Sequence, residues 1–355
     1  MPVSTAPVCV TGASGFIASH LVAQLLARGY HVRGTVRRSA DAAATAHLRA
    51  LPGAAERLSL VDADLNAAVS GAFDAAVAGC ASVLHTASPY ALHVKDPQKD
   101  LVDPAVQGTR GVLQSCASAG TVRRVVVTSS MAAITDEPSS DHVLSEADWN
   151  TRSSLTRNPY YLSKTLAERE AWRFVETASP SLDVVTINPF LVVGPSLSPG
   201  LNTSNQIFVD LLRGAYPGIL SLTWGLVDVR DVALAHILAM ETPTARGRYL
   251  CAAHTLSMRE LVARLRALGY RGKLPRIGLD HAVGDVIVRA LSFAQPAGIG
   301  SYLRTHVGRT PRFDNGKIQR ELGLAFRPVE TTLADTMADL GRWGHLSPAA
   351  AAARP

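Results

Sequence analysis

The chain has 355 residues, 47% of them hydrophobic, and 35 Lys and Arg against 29 Asp and Glu give a formal net charge of +6. That length and apolar content can bury a large core, which excludes a disordered polypeptide. The basic residues are scattered rather than interleaved with aromatics, so nucleic acid is not expected as a partner, and the positive charge better suits anionic small molecules.

Over the first 190 residues, strand and helix signals alternate. Short β-branched runs predict strands at 8–11, 31–36, 58–61, 82–85, 123–128 and 183–188, with apolar-periodic helices at 17–27, 104–119 and 160–177 among the stretches between them. This is the pattern of an α/β fold with a doubly wound parallel sheet covered on both faces. After Asn188 the segment INPFLVVGPSLSPGLNTSN is rich in Pro, Gly and Ser, so the alternation stops there. A smaller lobe is expected over 191–345, exchanging some chain with the first unit. Its predicted helices lie at 206–213, 229–240, 258–268 and 333–343, with a short strand at 249–251. Residues 346–355 end in SPAAAAARP and are expected to fray.

Cys9, Cys80, Cys116 and Cys251 are far apart and form no C-x-x-C pair, so they are expected as buried thiols in a reducing compartment. No apolar run reaches membrane-spanning length, and the first ten residues carry no basic segment ahead of an apolar one. A cytoplasmic protein with no membrane partner is the expectation.

After the first strand the chain reads TGASGFIA, with Gly12, Gly15 three residues on, and Ala18 in the opening turn of a helix. Small residues there let the backbone turn tightly, approach a pyrophosphate and pack the helix close to the sheet. At the end of the second strand, where a ribose-binding carboxylate would favour NAD, the chain has Arg37 and Arg38 in TVRRS. A guanidinium fork suits a 2′-phosphate instead. Asp64, followed by Leu65 after the third strand, is in position to accept from an adenine amino group.

Tyr160 and Lys164 are four residues apart at the start of a predicted helix, so both project from one face. An ammonium beside a phenol favours the phenolate and turns a poor acid at neutral pH into a workable one. The fifth strand delivers Ser129 and Ser130 at its carboxyl end, where open parallel sheets hold ligands. A hydroxyl there can donate to a carbonyl oxygen gaining negative charge. Successive residues leave a strand in opposite directions, so only one serine can face the pocket. Of the eleven histidines, His85 at the end of a buried strand is expected to be a satisfied core residue, and no metal is expected.

TGASGFIA, TVRR, Asp64-Leu65, HTASP at 85–89, VTSS, YYLSK and INPFLVVGP occur in an order that resembles the extended short-chain dehydrogenases/reductases, nearest the dihydroflavonol 4-reductase branch. That branch includes cinnamoyl-CoA reductases, anthocyanidin reductases and microbial methylglyoxal, aldehyde and ketone reductases. The resemblance covers nearly the whole chain. It implies a Rossmann domain over 1–190 that binds NADPH or NADP+ and a substrate-binding lobe over 191–345.

The catalytic residues it implies are Ser130, Tyr160 and Lys164, the lysine also holding the nicotinamide ribose. For the cofactor it implies Gly12, Ser14, Gly15, Phe16 and Ile17 at the phosphate turn and Arg37 and Arg38 at the 2′-phosphate. Asp64 and Leu65 would meet the adenine, and Thr86, Ala87 and Ser88 would pass under the cofactor's middle, with Thr128 nearby. Pro189, Val192 and Ser204 would lie beside the nicotinamide.

Two departures bear on substrate. Thr135 stands where flavonoid reductases have asparagine, and Pro159 and Leu162 stand where cinnamoyl-CoA reductases have aromatics. A small-molecule aldehyde or ketone with apolar substituents is therefore expected, walled by Met131 to Ile134, Phe190, Leu191, Ile219, Leu220, Leu222 and Trp224. The alternatives are a dihydroflavonol 4-reductase, a hydroxysteroid-type dehydrogenase, an NAD-dependent sugar-nucleotide epimerase and a non-catalytic NADPH sensor. A monomer or homodimer is expected.

Overall fold

The computed structural model describes residues 6–88 and 94–346. Pro89 and all of the tail beyond Leu346 lie outside them. Seven parallel strands form the main sheet: β1 Val8–Thr11, β2 Val32–Val36, β3 Leu58–Asp62, β4 Ser82–His85, β5 Arg124–Thr128, β6 Asp183–Pro189 and β7 Gly247–Cys251, in the order β7-β6-β5-β4-β1-β2-β3. The order reverses between β1 and β4, which pair from Val8 opposite Ser82 to Thr11 opposite His85. Ligands of doubly wound folds bind in the crevice at the carboxyl ends of such strands. β1, β4 and β5 are almost wholly buried. Burial on both faces is why they read as apolar runs without polar alternation.

Helices Phe16–Ala27, Asp103–Ala119 and Pro159–Thr177 fall where the periodicity predicts, within a residue at each end. Two elements expected in the smaller lobe belong instead to the main sheet. β7 pairs with β6 from Gly247 opposite Val185 to Cys251 opposite Pro189. Helix Val229–Glu241 buries Val229, Val232, Ala233 and Ile237 in the same core as Leu21 and Leu25 of the first helix. Its many apolar positions suit a helix covered by protein, but periodicity names an element without naming its neighbours.

The smaller lobe is built on a three-stranded sheet with Thr223–Asp228 between Leu191–Val193 and His254–Ser257. Its core gathers Phe208, Trp224, Met258, Leu261, Leu333 and Met337. Helix Thr203–Leu212 starts three residues earlier than expected because the Asn202 side chain accepts from the Asn205 amide. Helix Met258–Ala267 starts at the expected residue, and a Ser257–Glu260 capping box begins it. All four cysteines are free and buried. Among the described residues, no helix is long and apolar enough to cross a membrane.

Candidate active site

Gly12 sits at φ 65°, and a Cβ there would lie 3.2 Å from Ala87 Cα and Cβ. Its N–H donates to Thr35 Oγ1 at 3.0 Å, and the Gly15 N–H donates to the Gly12 carbonyl at 2.8 Å, closing a tight turn. The left-handed backbone favours glycine at position 12, and the close approach of Ala87 leaves little room for a side chain. Ser14 and Gly15 complete the turn, and Phe16 and Ile17 form the first residues of the helix, whose free N–H groups open toward the sheet's carboxyl edge. The Thr11 hydroxyl accepts from the Thr86 and Ala87 amides, each at 3.0 Å, so segment 86–88 is strapped to the turn. Already accepting from two donors, it has its own proton left for His85 Nδ1, 2.9 Å away. His85 is thereby a satisfied core residue, and its burial lowers its pKa to about 4.

Arg37 and Arg38 emerge exposed from the end of β2. Asp64 caps the short helix Leu65–Ser70 by accepting from the Asn66 amide at 2.9 Å, so part of its carboxylate is already engaged in a turn. The Leu65 side chain points inward onto Gly108, where an added Cβ would come within 2.6 Å of it.

At the carboxyl end of β5 the two serines diverge. Ser129 is buried, and its hydroxyl donates to the Glu168 carboxylate. Ser130 is partly exposed; its backbone is extended and its Oγ accepts from the Ala132 amide at 3.2 Å. Across from it, helix Pro159–Thr177 carries Tyr160 in its first turn and Lys164 one turn on. Lys164 Nζ donates to Ser88 Oγ at 2.8 Å and lies 5.8 Å from the centre of the Tyr160 ring. Burial lowers the Lys164 pKa to about 8, so at neutral pH most of it remains an ammonium.

Behind these groups is a network absent from the sequence reading. Glu168, one further turn along from Lys164, is fully buried. It pairs with Arg248 Nε at 2.6 Å and accepts from Asn188 Nδ2 at 2.7 Å, besides Ser129. Arg248 also donates to the carbonyls of Glu146 and Asp148, and its guanidinium stacks 3.8 Å from the Trp149 ring centre. One ion pair therefore ties the helix of Tyr160, the strand of Ser130, β7 and the loop between them. Extending the Tyr160–Lys164 spacing by four more residues points to Glu168; nothing local points to Arg248. Gly34 was also missed: in β2 a Cβ would come within 2.7 Å of Ala13 Cβ, so glycine admits the phosphate turn. A lone glycine amid β-branched residues is the signal that could have found it.

The remaining expected residues divide. Pro189 ends β6 and Val192 is buried beside it in the second sheet, while Ser204 lies in the first turn of helix Thr203–Leu212. The Thr128 hydroxyl is committed to His236 Nε2 at 2.6 Å. The expected substrate walls need correction: Ile219, Leu220, Leu222 and Trp224 belong to the core of the smaller lobe, and Ile134 and Phe190 to a separate buried cluster. The runs around Leu222 and Trp224 feed or form a strand packed within the lobe, which draws their side chains inward. Met131 and Leu191 remain as partly exposed apolar candidates. Among the described residues, no three His, Cys, Asp or Glu side chains are grouped to hold a metal ion.

A sequence model of the NAD dependent epimerase/dehydratase family matches residues 8–252, which run from β1 past the end of β7. The chain belongs to the epimerase/dehydratase family. Within it, the chain is 46% identical over 275 residues to a cinnamoyl-CoA reductase of Medicago truncatula, covering 76% of this chain and 82% of that one. It is 39% identical over 348 residues to tetraketide alpha-pyrone reductase 1 of Arabidopsis thaliana, covering 96% and 97%. The crystal structure of Gre2 from Candida albicans in complex with NADPH superimposes with a TM-score of 0.79 at 32% identity, covering 96% of this chain and 99% of that one.

Proposed function

We propose that this member of the epimerase/dehydratase family is an NADPH-dependent carbonyl reductase acting on aldehydes or ketones with apolar substituents. The observation that carries the reading is Lys164, a buried ammonium held by Ser88 beside the Tyr160 ring, with Ser130 at the end of the neighbouring strand. The turn at Gly12, Ser14 and Gly15, followed by Phe16 and Ile17, would hold the pyrophosphate; Arg37 and Arg38 would hold the 2′-phosphate. The fit is supported by the tight turn that Gly12 makes at φ 65°, closed by the Gly15 N–H and leading directly into the helix N-terminus. NADPH, when bound, supplies the hydride that adds to the carbonyl carbon.

The protein's own groups manage the oxygen. Ser130 donates a hydrogen bond to it as negative charge develops. Tyr160 gives its phenolic proton to the same oxygen, so one hydride and one proton convert carbonyl to alcohol. Lys164 stabilises the phenolate left behind, which regains its proton from solvent.

The substrate class rests on Thr135, Met131 and Leu191. Thr135 is buried and its hydroxyl accepts from the Glu137 amide at 3.1 Å, so it offers no amide-like donor and acceptor pair to the ring hydroxyls of a dihydroflavonol. A buried hydroxyl left unpaired costs about 1–3 kcal/mol. Aromatic CoA thioesters are the second reading, favoured by the 46% identity to a cinnamoyl-CoA reductase and opposed by Pro159 and Leu162.

Cofactor choice provides a test. Wild type should have a higher kcat/KM with NADPH than with NADH on a hydrophobic aldehyde. Arg37→Ala should lower the NADPH value by about ten- to a hundredfold while changing the NADH value little, because a charge-assisted contact to one phosphate is lost. Equal efficiencies with the two cofactors in wild type would remove the basis for assigning Arg37.

A further inference from the structure

Asn158, two residues before Tyr160, is the one non-glycine residue with positive φ among the described residues, at φ 48° and ψ 61°. Proline at the next position disfavours the ordinary helical conformation for residue 158, and asparagine tolerates the left-handed region better than most side chains. The residue is also buried and held on three sides. Its backbone N–H donates to Ser301 Oγ at 3.0 Å, and its Nδ2 donates to the Asp136 carboxylate and, at 3.0 Å, to Thr305 Oγ1. Asp136 is buried as well, and its other oxygen accepts from Arg157 Nε at 2.9 Å.

These contacts join three parts of the molecule at one point. Asp136 lies on the loop that leaves Ser130 through the short helix Met131–Ala133. Ser301 and Thr305 belong to helix Ala297–His306 of the smaller lobe. Asn158 itself starts the helix that carries Tyr160, whose first internal bond runs from the Leu162 amide to the Asn158 carbonyl at 3.2 Å.

We infer that Asn158 is a positioning residue: its side chain clasps the loop after Ser130 to the smaller lobe and so sets where Tyr160 stands relative to Ser130. The inference rests on the carbonyl-reductase reading. It assigns Asn158 no contact with substrate or cofactor. The proton still comes from Tyr160, and the clasp fixes the geometry in which it is given. Small misplacements of reacting groups cost rate steeply, which is why a residue outside the chemistry can matter to it.

Asn158→Gly separates the clasp from the backbone, because glycine adopts the same φ without strain and keeps the N–H to Ser301 while deleting both Nδ2 bonds. Steady-state kinetics on the carbonyl that wild type reduces best, with NADPH affinity by fluorescence titration, should show kcat lowered at least tenfold. The Kd for NADPH should stay within twofold of wild type, since the phosphate turn lies on another element and Lys164, one turn further along the helix, keeps its own bond to Ser88 Oγ. Thr305→Val, which leaves the Asp136 contact in place, should show a smaller kcat loss, and the double variant should be no worse than Asn158→Gly alone. Retention of more than half of wild-type kcat by Asn158→Gly would overturn the inference. So would parallel loss of kcat and NADPH affinity, which marks general loosening. A wild type inert toward every carbonyl would overturn the functional reading and the inference with it, whereas an active wild type with an unaffected variant would defeat the inference alone.

Discussion

Tyr160→Phe is expected to lower kcat by about 10²- to 10⁴-fold while leaving NADPH binding within a few-fold of wild type, the range over which a positioned general acid contributes. The substitution keeps the ring that packs edge-on against Tyr161 at 6.1 Å between centres, and keeps the face near Lys164. It removes only the oxygen and its proton. Lys164→Ala should differ in kind, damaging turnover and cofactor affinity together, because its ammonium both neighbours the phenol and reaches Ser88. Stopped-flow oxidation of NADPH with a saturating carbonyl measures the first effect, and fluorescence titration separates the second. Tyr160→Phe retaining more than about a tenth of wild-type kcat would mean that another group supplies the proton.

The second large effect is on stability. Arg248→Met should destabilise the protein by about 3–5 kcal/mol, because it leaves the Glu168 carboxylate buried without its cation. In the native pair the Arg248 and Glu168 side chains are 7% and 0% exposed, so solvent cannot take over the lost contact. The Glu146 and Asp148 carbonyls lose their donors at the same time. Removing both charges, as Arg248→Met with Glu168→Met, should recover much of the stability, since a buried ion pair is often worth little more than apolar packing. Activity should not recover in parallel, because Ser129, next to Ser130, loses its acceptor. The midpoint of guanidinium unfolding reads the stability; a loss below about 1 kcal/mol in the single variant would show that Glu168 finds another partner.

The parts of the molecule legible in the sequence are those whose physics is local. Strands β1, β4 and β5 read out as apolar runs because both faces are buried, and the glycine turn after β1 reads out because backbone curvature and phosphate approach demand small residues in one short stretch. Tyr160 and Lys164 read out through a spacing of four on a helix. The contacts that hold their helix in place do not, since the partners are distant: Arg248 lies 80 residues from Glu168, and Thr305 lies 147 from Asn158. The same blindness assigned helix Val229–Glu241 and β7 to the smaller lobe, although both complete the main sheet and its core. Hydrophobicity likewise could not tell a pocket wall from a core residue, so Leu222 and Trp224 were expected at the substrate and are found packed inside the lobe. The divergence of Ser129 and Ser130 follows from strand alternation, but which one faces inward depends on Glu168, a residue on another element.

The most direct test of the central claim is to incubate wild-type protein with NADPH and a panel containing an aryl ketone, an aliphatic aldehyde, a dihydroflavonol and an aromatic CoA thioester. Cofactor oxidised is then compared with product formed for each. The account predicts one alcohol per NADPH oxidised, with the aryl ketone or the aldehyde giving the highest kcat/KM. Product formed without net oxidation of NADPH, as in an epimerisation, or no product from any carbonyl, would contradict it.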